Sequence, residues 1–228
     1  MNIVITGCSR GIGLELVKLF SQQHNVYCLS RNIDPIEKYK NEVGDSNRIK
    51  FLQFDFESLN TIELNSFLTI ENGIDILINN AGYLVNETFG QISESNLRRM
   101  YEVNVLGPFR LMQIVLPLLR KDNSHVISIG SMGGVQGSVK FPGLSAYSSS
   151  KGGMSILTEC LAEEYKESNI KFNCLALGAV QTEMLNEAFP GYEASVSAKE
   201  MAQYTYSFAL NGSRFINGKV ISVSNSTP

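Results

Sequence analysis

The chain has 228 residues, 43% of them hydrophobic, and a formal net charge of −3. That length suits one α/β domain spanning 1–228 with a large core. The charge balance leaves no footprint for nucleic acid or an anionic membrane surface, and no run of 18 apolar residues offers a membrane-spanning helix.

Short apolar runs alternate with longer amphipathic segments. "NIVIT" (2–6), "NVYCLS" (25–30), "IKFLQFD" (49–55), "IDILINN" (74–80), "HVISIG" (125–130), "KFNCLAL" (171–177) and "KVISVS" (219–224) read as strands. Helical patterns fall near 11–22, 58–71, 93–120, 147–167 and 198–209. Near-continuous Ile/Val/Leu runs separated by helices predict parallel strands buried on both faces, and so a doubly wound, Rossmann-type sheet. Residues 131–146, rich in Gly and Ser, form the longest loop. The opening "MNIVITGC" lacks the charged region and cleavage site of a signal peptide. Cys8, Cys28, Cys160 and Cys174 are scattered without a C-x-x-C pair, and His24 and His125 have no ligand neighbours at metal-binding spacing. These features predict a reduced, cytoplasmic protein with no metal site.

"TGCSRGIG" (6–13) joins the first strand to the first helix. Gly7, Gly11 and Gly13 let the backbone turn tightly and approach a phosphate, which a helix N-terminus favours. "GCSRG" also fits the G-x-S-x-G nucleophile elbow, with Ser9 as nucleophile. That reading needs an earlier strand–helix loop and a late histidine at a strand's carboxyl end. Neither is present, because His125 opens its strand. Further on, "AYSSSK" (146–151) sets Tyr147 one helical turn ahead of Lys151. An ammonium beside a phenol is expected to lower the tyrosine pKa.

These motifs together resemble the short-chain dehydrogenase/reductase family, in its short single-domain form. "TGCSRGIG" is similar to the family's glycine motif, "NNAG" (79–82) to its motif after the fourth strand, and "VNVLG" (103–107), "ISIGS" (127–131) and "YSSSK" to its catalytic segments. "ALGAVQTEM" (176–184) resembles the segment over the nicotinamide, with Leu177–Gly178 where the family commonly has Pro–Gly. The resemblance implies hydride transfer between a nicotinamide cofactor and a carbonyl or alcohol. It makes Tyr147 the acid, Lys151 its partner on the ribose, Ser131 the oxyanion donor, and Asn104 the holder of a water that resupplies protons. It implies a cofactor site of Gly7, Ser9, Arg10, Gly11, Ile12, Gly13, Ala81, Gly82, Tyr147, Lys151 and Val180. Thr182 would hold the carboxamide, Asp55 and the backbone of Phe56 the adenine, and Asn80 the adenine ribose. An idle protein of the same fold, sensing NADP(H) or holding a partner, is the alternative.

NADP(H) is expected over NAD(H). The second strand ends in Ser30 and Arg31 rather than in an acid, and Arg10 lies in the glycine loop. Asp34 is the rival, as a ribose ligand for NAD. Apolar residues on several sides of the helices near 93–120 and 147–167, among them Val105, Phe109, Met112, Leu116, Met154, Leu157 and Leu161, suggest a homodimer or homotetramer, the usual state in the family.

Overall fold

A computed structural model describes residues 1–44 and 47–225. The strands are β1 (Asn2–Thr6), β2 (Asn25–Ser30), β3 (Ile49–Gln53), β4 (Ile76–Asn79), β5 (Ser124–Ser131), β6 (Ile170–Leu177) and β7 (Lys219–Val223). They form one parallel sheet in the order β3-β2-β1-β4-β5-β6-β7. The helices are α1 (Gly11–Phe20), α2 (Asp34–Glu42), α3 (Thr61–Phe67), α4 (Glu94–Tyr101), α5 (Gly107–Val115), α6 (Ser145–Glu164), α7 (Glu183–Ala188) and α8 (Ala198–Asn211).

Alternation along the strands feeds two cores. Ile3 and Ile5 of β1 pack with Leu16 and Phe20 of α1 and Ala202 of α8 on one face. Val4, between them, joins Leu64 of α3, Leu111 of α5 and Met154 of α6 on the other. All five residues of β1 are buried, as a central strand covered on both faces requires.

Three elements depart from the expected pattern. Helices α2 and α7 were not anticipated. In α2 only Ile36 is buried, so no apolar stripe marks it, although Pro35 in its first turn suits a helix start. The single helix expected over 93–120 is broken into α4, a π-helical segment at Glu102–Leu106, α5, and a 3₁₀ turn at Leu116–Leu118. Pro108 explains the break. It has no N–H to give to the Asn104 carbonyl, its partner in an α-helix. Of the residues expected on an outer face, Met112 and Met154 belong to the core, whereas Phe109 stays exposed.

At the end of the sheet opposite the β1–α1 turn, His125 is fully enclosed. Asn173 Nδ2 donates to its Nε2 at 3.0 Å, so its Nδ1–H donates to the Ala209 carbonyl at 3.1 Å. This ties β5, β6 and α8 together, and burial pushes the imidazole pKa down to about 4. The unfolded chain binds the proton near pH 6.5 and the folded one only near 4. Stability is therefore expected to fall by about 3 kcal/mol as pH drops through that window. Urea unfolding at pH 7, 6, 5 and 4 reads this slope, and His125→Gln should flatten it.

Candidate active site

The strand order reverses at β1, which has β2 on one side and β4 on the other. The connections that follow these strands lie on opposite faces, which opens a crevice at their carboxyl ends. A cleft of about 840 Å³ occupies that crevice. All the residues expected at the cofactor line it, as do Ser131, Tyr147 and Lys151; Asn104 lies just behind Gly82.

The glycine turn is held from β4. Asn80 N–H and Ala81 N–H donate to Thr6 Oγ1 at 3.1 and 3.0 Å, and Asn80 Nδ2 donates to the carbonyls of Thr6 and Gly7, both at 3.0 Å. Asn80, expected at the adenine ribose, thus spends its amide hydrogens on bracing the turn. Gly7 sits at φ 72°, and a Cβ on Gly13 would lie 2.1 Å from the Gly7 carbonyl oxygen. The strand end and helix start meet only because both positions are bare. Helices α3, α4, α7 and α8 have side-chain caps from Asn60, Ser93, Thr182 and Ser197, but none caps α1, whose first residues line the cleft. Open N–H groups and a positive dipole end suit a pyrophosphate there.

Further out, Asp55 Oδ1 accepts from Glu57 N–H at 3.1 Å, so it caps a short 3₁₀ turn while facing the cleft. The Phe56 carbonyl accepts from Arg110 at 3.2 Å, and its ring packs on Gly107 and Phe54. Arg31 and Asn32 line the cleft at the end of β2. Asp34 does not line it: its N–H bonds Asn32 Oδ1 at 3.0 Å as α2 begins. Arg10 reaches across the mouth to Glu187 on α7, with Nη1 on Oε1 and Nη2 on Oε2, the latter at 3.0 Å.

Beyond the nucleotide end, β5 delivers Ser131 and α6 delivers Tyr147 and Lys151. The turn after β5 presses onto α6: a Cβ on Gly134 would lie 2.7 Å from Gly152 N. Ser131 Oγ accepts from Gly133 N–H at 3.2 Å and, like Tyr147, lines the cleft. Of three other serines near it in sequence, Ser138 also lines the cleft. Ser128 is buried within β5, Ser145 is exposed at the start of α6, and Ser138 donates to the carbonyls of Met132 and Val135. Lys151 stands on the buried stripe of α6 with Met154, Ser155 and Thr158. Its ammonium donates to the Ile129 carbonyl at 2.8 Å and lies 5.9 Å from the Tyr147 ring centre.

Asn104 is locked by three bonds. Its Oδ1 accepts from Tyr83 N–H at 2.8 Å, and its Nδ2 donates to the Tyr83 carbonyl and to Ser150 Oγ, each at 2.9 Å. Ser150 in turn donates to the Tyr147 carbonyl at 2.7 Å. Ser150 is therefore the link between Asn104 and the tyrosine's backbone. Its complete burial has no signature in the run "SSS". Thr6 and Glu187 were also missed; the threonine lies in the glycine motif, while the glutamate sits in a helix with no buried residue.

The expected lowering of the tyrosine pKa is not what the site produces. Burial pushes the Tyr147 phenol up to about 12, opposed by the Ser131 hydroxyl. Burial also pushes Lys151 down to about 8. The ring keeps some surface open to the cleft, but the ammonium points to Ile129 and desolvation dominates both groups. Val180 is buried at the floor, and Thr182 Oγ1 accepts from Leu185 N–H at 3.3 Å as the cap of α7. Ser9 lines the cleft, but His125 is buried at the amino end of β5, so no hydrolase pair forms.

The family model described as short chain dehydrogenase matches residues 1–193. The chain is a short-chain dehydrogenase/reductase. This oxidoreductase is 27% identical to a 3-oxoacyl-(acyl-carrier-protein) reductase of Chlamydia trachomatis, over 96% of this chain and 94% of that one. Its fold matches a short chain dehydrogenase of Shigella flexneri complexed with NADP, at a TM-score of 0.87 and 23% identity, covering 97% of this chain and 95% of that one. It also matches a 4-hydroxyisoleucine dehydrogenase mutant complexed with NADH and succinate, at 0.87 and 24%, covering 100% and 98%.

If the contact between Gly13 and Gly7 sets the turn, Gly13→Ala should cost at least about 2 kcal/mol in urea unfolding. Gly90→Ala, where an added Cβ meets nothing within 4 Å, should change stability by less than about 0.5 kcal/mol.

Proposed function

We propose that this short-chain dehydrogenase/reductase uses NADP(H) to reduce a ketone or aldehyde, or to oxidise the corresponding alcohol, within one domain spanning the chain. The observation that carries the reading is the meeting of Ser131, Tyr147 and Lys151 at the end of a cleft whose other end is an uncapped, glycine-lined helix start. An idle binding protein has no use for a protonated phenol that shares a cleft with a serine hydroxyl and stands over a buried ammonium.

A bound nicotinamide supplies or accepts the hydride. The residues do the rest. A phenol at about 12 is fully protonated at neutral pH, yet more acidic than the alcohol that an alkoxide would become, so Tyr147 can give its proton to the carbonyl oxygen. Ser131 donates to the same oxygen as charge builds on it. Lys151, while charged, favours the phenolate left behind. Asn104 holds the Tyr83 backbone and Ser150 with its side chain. Its carbonyl, which Pro108 cannot bond, is the acceptor for a water leading protons back to Lys151. On this reading Tyr147→Phe keeps NADPH binding but loses at least ~10²-fold in kcat. The reduction rate should decline above about pH 8 as Lys151 loses its proton, a step that Lys151→Met should abolish. Stopped-flow fluorescence of NADPH oxidation reads both.

The preference for NADP(H) rests on Arg31 and Arg10 at the cleft's outer end, on the missing acid after β2, and on the position of Asp34 outside the cleft. Relatives of this fold are described with either cofactor. Arg31→Asp should shift kcat/KM toward NADH by at least ~10-fold. Glu187→Gln, by freeing Arg10, should tighten NADPH by up to ~5-fold and leave NADH unchanged, since exposed pairs are weak. Fluorescence titration with both cofactors measures these shifts.

Leu106 and Phe109, at the junction of the π-helical segment and α5, and Ile156 on α6 are 48, 44 and 60% exposed, which supports a homodimer or homotetramer built on these helices. Among the described residues no helix is long and apolar enough to cross a membrane, in keeping with a cytoplasmic enzyme.

A further inference from the structure

Past Tyr147 the cleft is walled by three segments: 83–96 after β4, 132–146 after β5, and 184–197 beginning in α7. They are joined into one wall. Asn86 Nδ2 donates to the Ala188 carbonyl at 3.1 Å, and Glu87 N–H donates to the Gly143 carbonyl at 3.0 Å. The side chains they turn to the cleft are mostly apolar, among them Leu84, Val139, Phe141, Met184, Phe189 and Tyr192, with Ser138 as a polar exception. Val139, Phe141 and Tyr192 are still 50, 36 and 45% exposed, so apolar surface waits uncovered at the entrance.

Charge sharpens the point. The three segments hold one cation, Lys140, and four carboxylates, Glu87, Glu94, Glu187 and Glu193. Lys140 does not line the cleft: its ammonium is turned back onto the Val135 carbonyl and Ser138 Oγ, both at 2.6 Å. The cations that do line the cleft are Arg10, Arg31 and Lys151. Arg31 sits at the nucleotide end, Lys151 is buried beneath the phenol, and Arg10, reaching across the mouth, is already paired with Glu187. A carboxylate or phosphate on the substrate would therefore enter a largely apolar compartment with no unpaired cation to meet it among the described residues, a costly placement for an anion.

We infer that the substrate is a neutral, apolar ketone or aldehyde, and that carbonyl compounds carrying a carboxylate, or a phosphate-bearing acyl carrier, are poor substrates. This rests on the reductase reading above and goes beyond it. It also separates this chain from its 3-oxoacyl-(acyl-carrier-protein) reductase relative, whose substrate is borne by a carrier protein.

The test uses matched pairs in which only the charge changes: ethyl acetoacetate against acetoacetate, ethyl pyruvate against pyruvate, and ethyl benzoylformate against benzoylformate, with acetoacetyl-coenzyme A as the phosphate-bearing thioester. NADPH oxidation by the full chain should give a kcat/KM at least about tenfold higher for each accepted ester than for its acid. Val139→Lys, at a half-exposed position that tolerates a long side chain, should shift the ester-to-acid ratio toward the acid by about fivefold or more. Acids or the thioester used as well as the esters would overturn the substrate class and leave the reductase reading standing. NADPH oxidised with none of the seven, by protein that binds NADPH in a fluorescence titration, would overturn the reductase reading and this inference with it.

Discussion

An ammonium buried without a carboxylate is the constraint on which this site turns. Lys151 is 5% exposed, and the partner of its charge is a backbone carbonyl, Ile129 at 2.8 Å. Desolvation of that kind weakens the charged form of a lysine and also of a neighbouring phenol, in opposite directions on the pH scale. The pair is therefore not a phenolate held by a cation at rest. It is a neutral phenol above a cation that is only just retained at physiological pH.

Much of the surrounding architecture serves to bring this pair to the cleft. Lys151 is buried because it falls on the inner stripe of α6, and Tyr147, one turn earlier, is carried to the mouth of the same stripe. Helix α6 can approach β5 so closely because Gly134 and Gly152 face each other without side chains. On the neighbouring segment, Pro108 forces a π-helical turn that sets Asn104 against Tyr83 and Ser150. At the nucleotide end, Thr6 and Asn80 pin the glycine turn to β4. The cofactor end and the acid end are thus fixed to adjacent strands of one sheet, so their separation is set by the fold rather than by a loop.

All seven strands were legible, because parallel strands covered on both faces need long apolar runs and leave few other readings. Helices α2 and α7 were not, since each buries at most one residue and neither carries an apolar stripe. The positions of the motif residues could be read because glycine and the Tyr-x-x-x-Lys spacing constrain geometry directly. Their energetics could not. The sign of the tyrosine shift depends on how deeply Lys151 and Tyr147 are buried and on where the ammonium points, which a spacing of one helical turn does not determine. The bracing of the glycine turn by Asn80 could not be read for a similar reason: it follows from the distance to two carbonyls in a distant segment, 73 and 74 residues away.

The direct measurement is the ionisation of Tyr147 itself. With ¹³Cζ-labelled tyrosine and Tyr147→Phe as the assignment control, NMR titration of the cofactor-free protein follows the phenol from pH 6 upward. Burial acting on the ring predicts that Tyr147 stays protonated beyond an ordinary tyrosine near 10, with its midpoint toward 12. A midpoint below about 9 in the cofactor-free protein would show that the Lys151 ammonium, not desolvation, governs the phenol, and would contradict this account of the site.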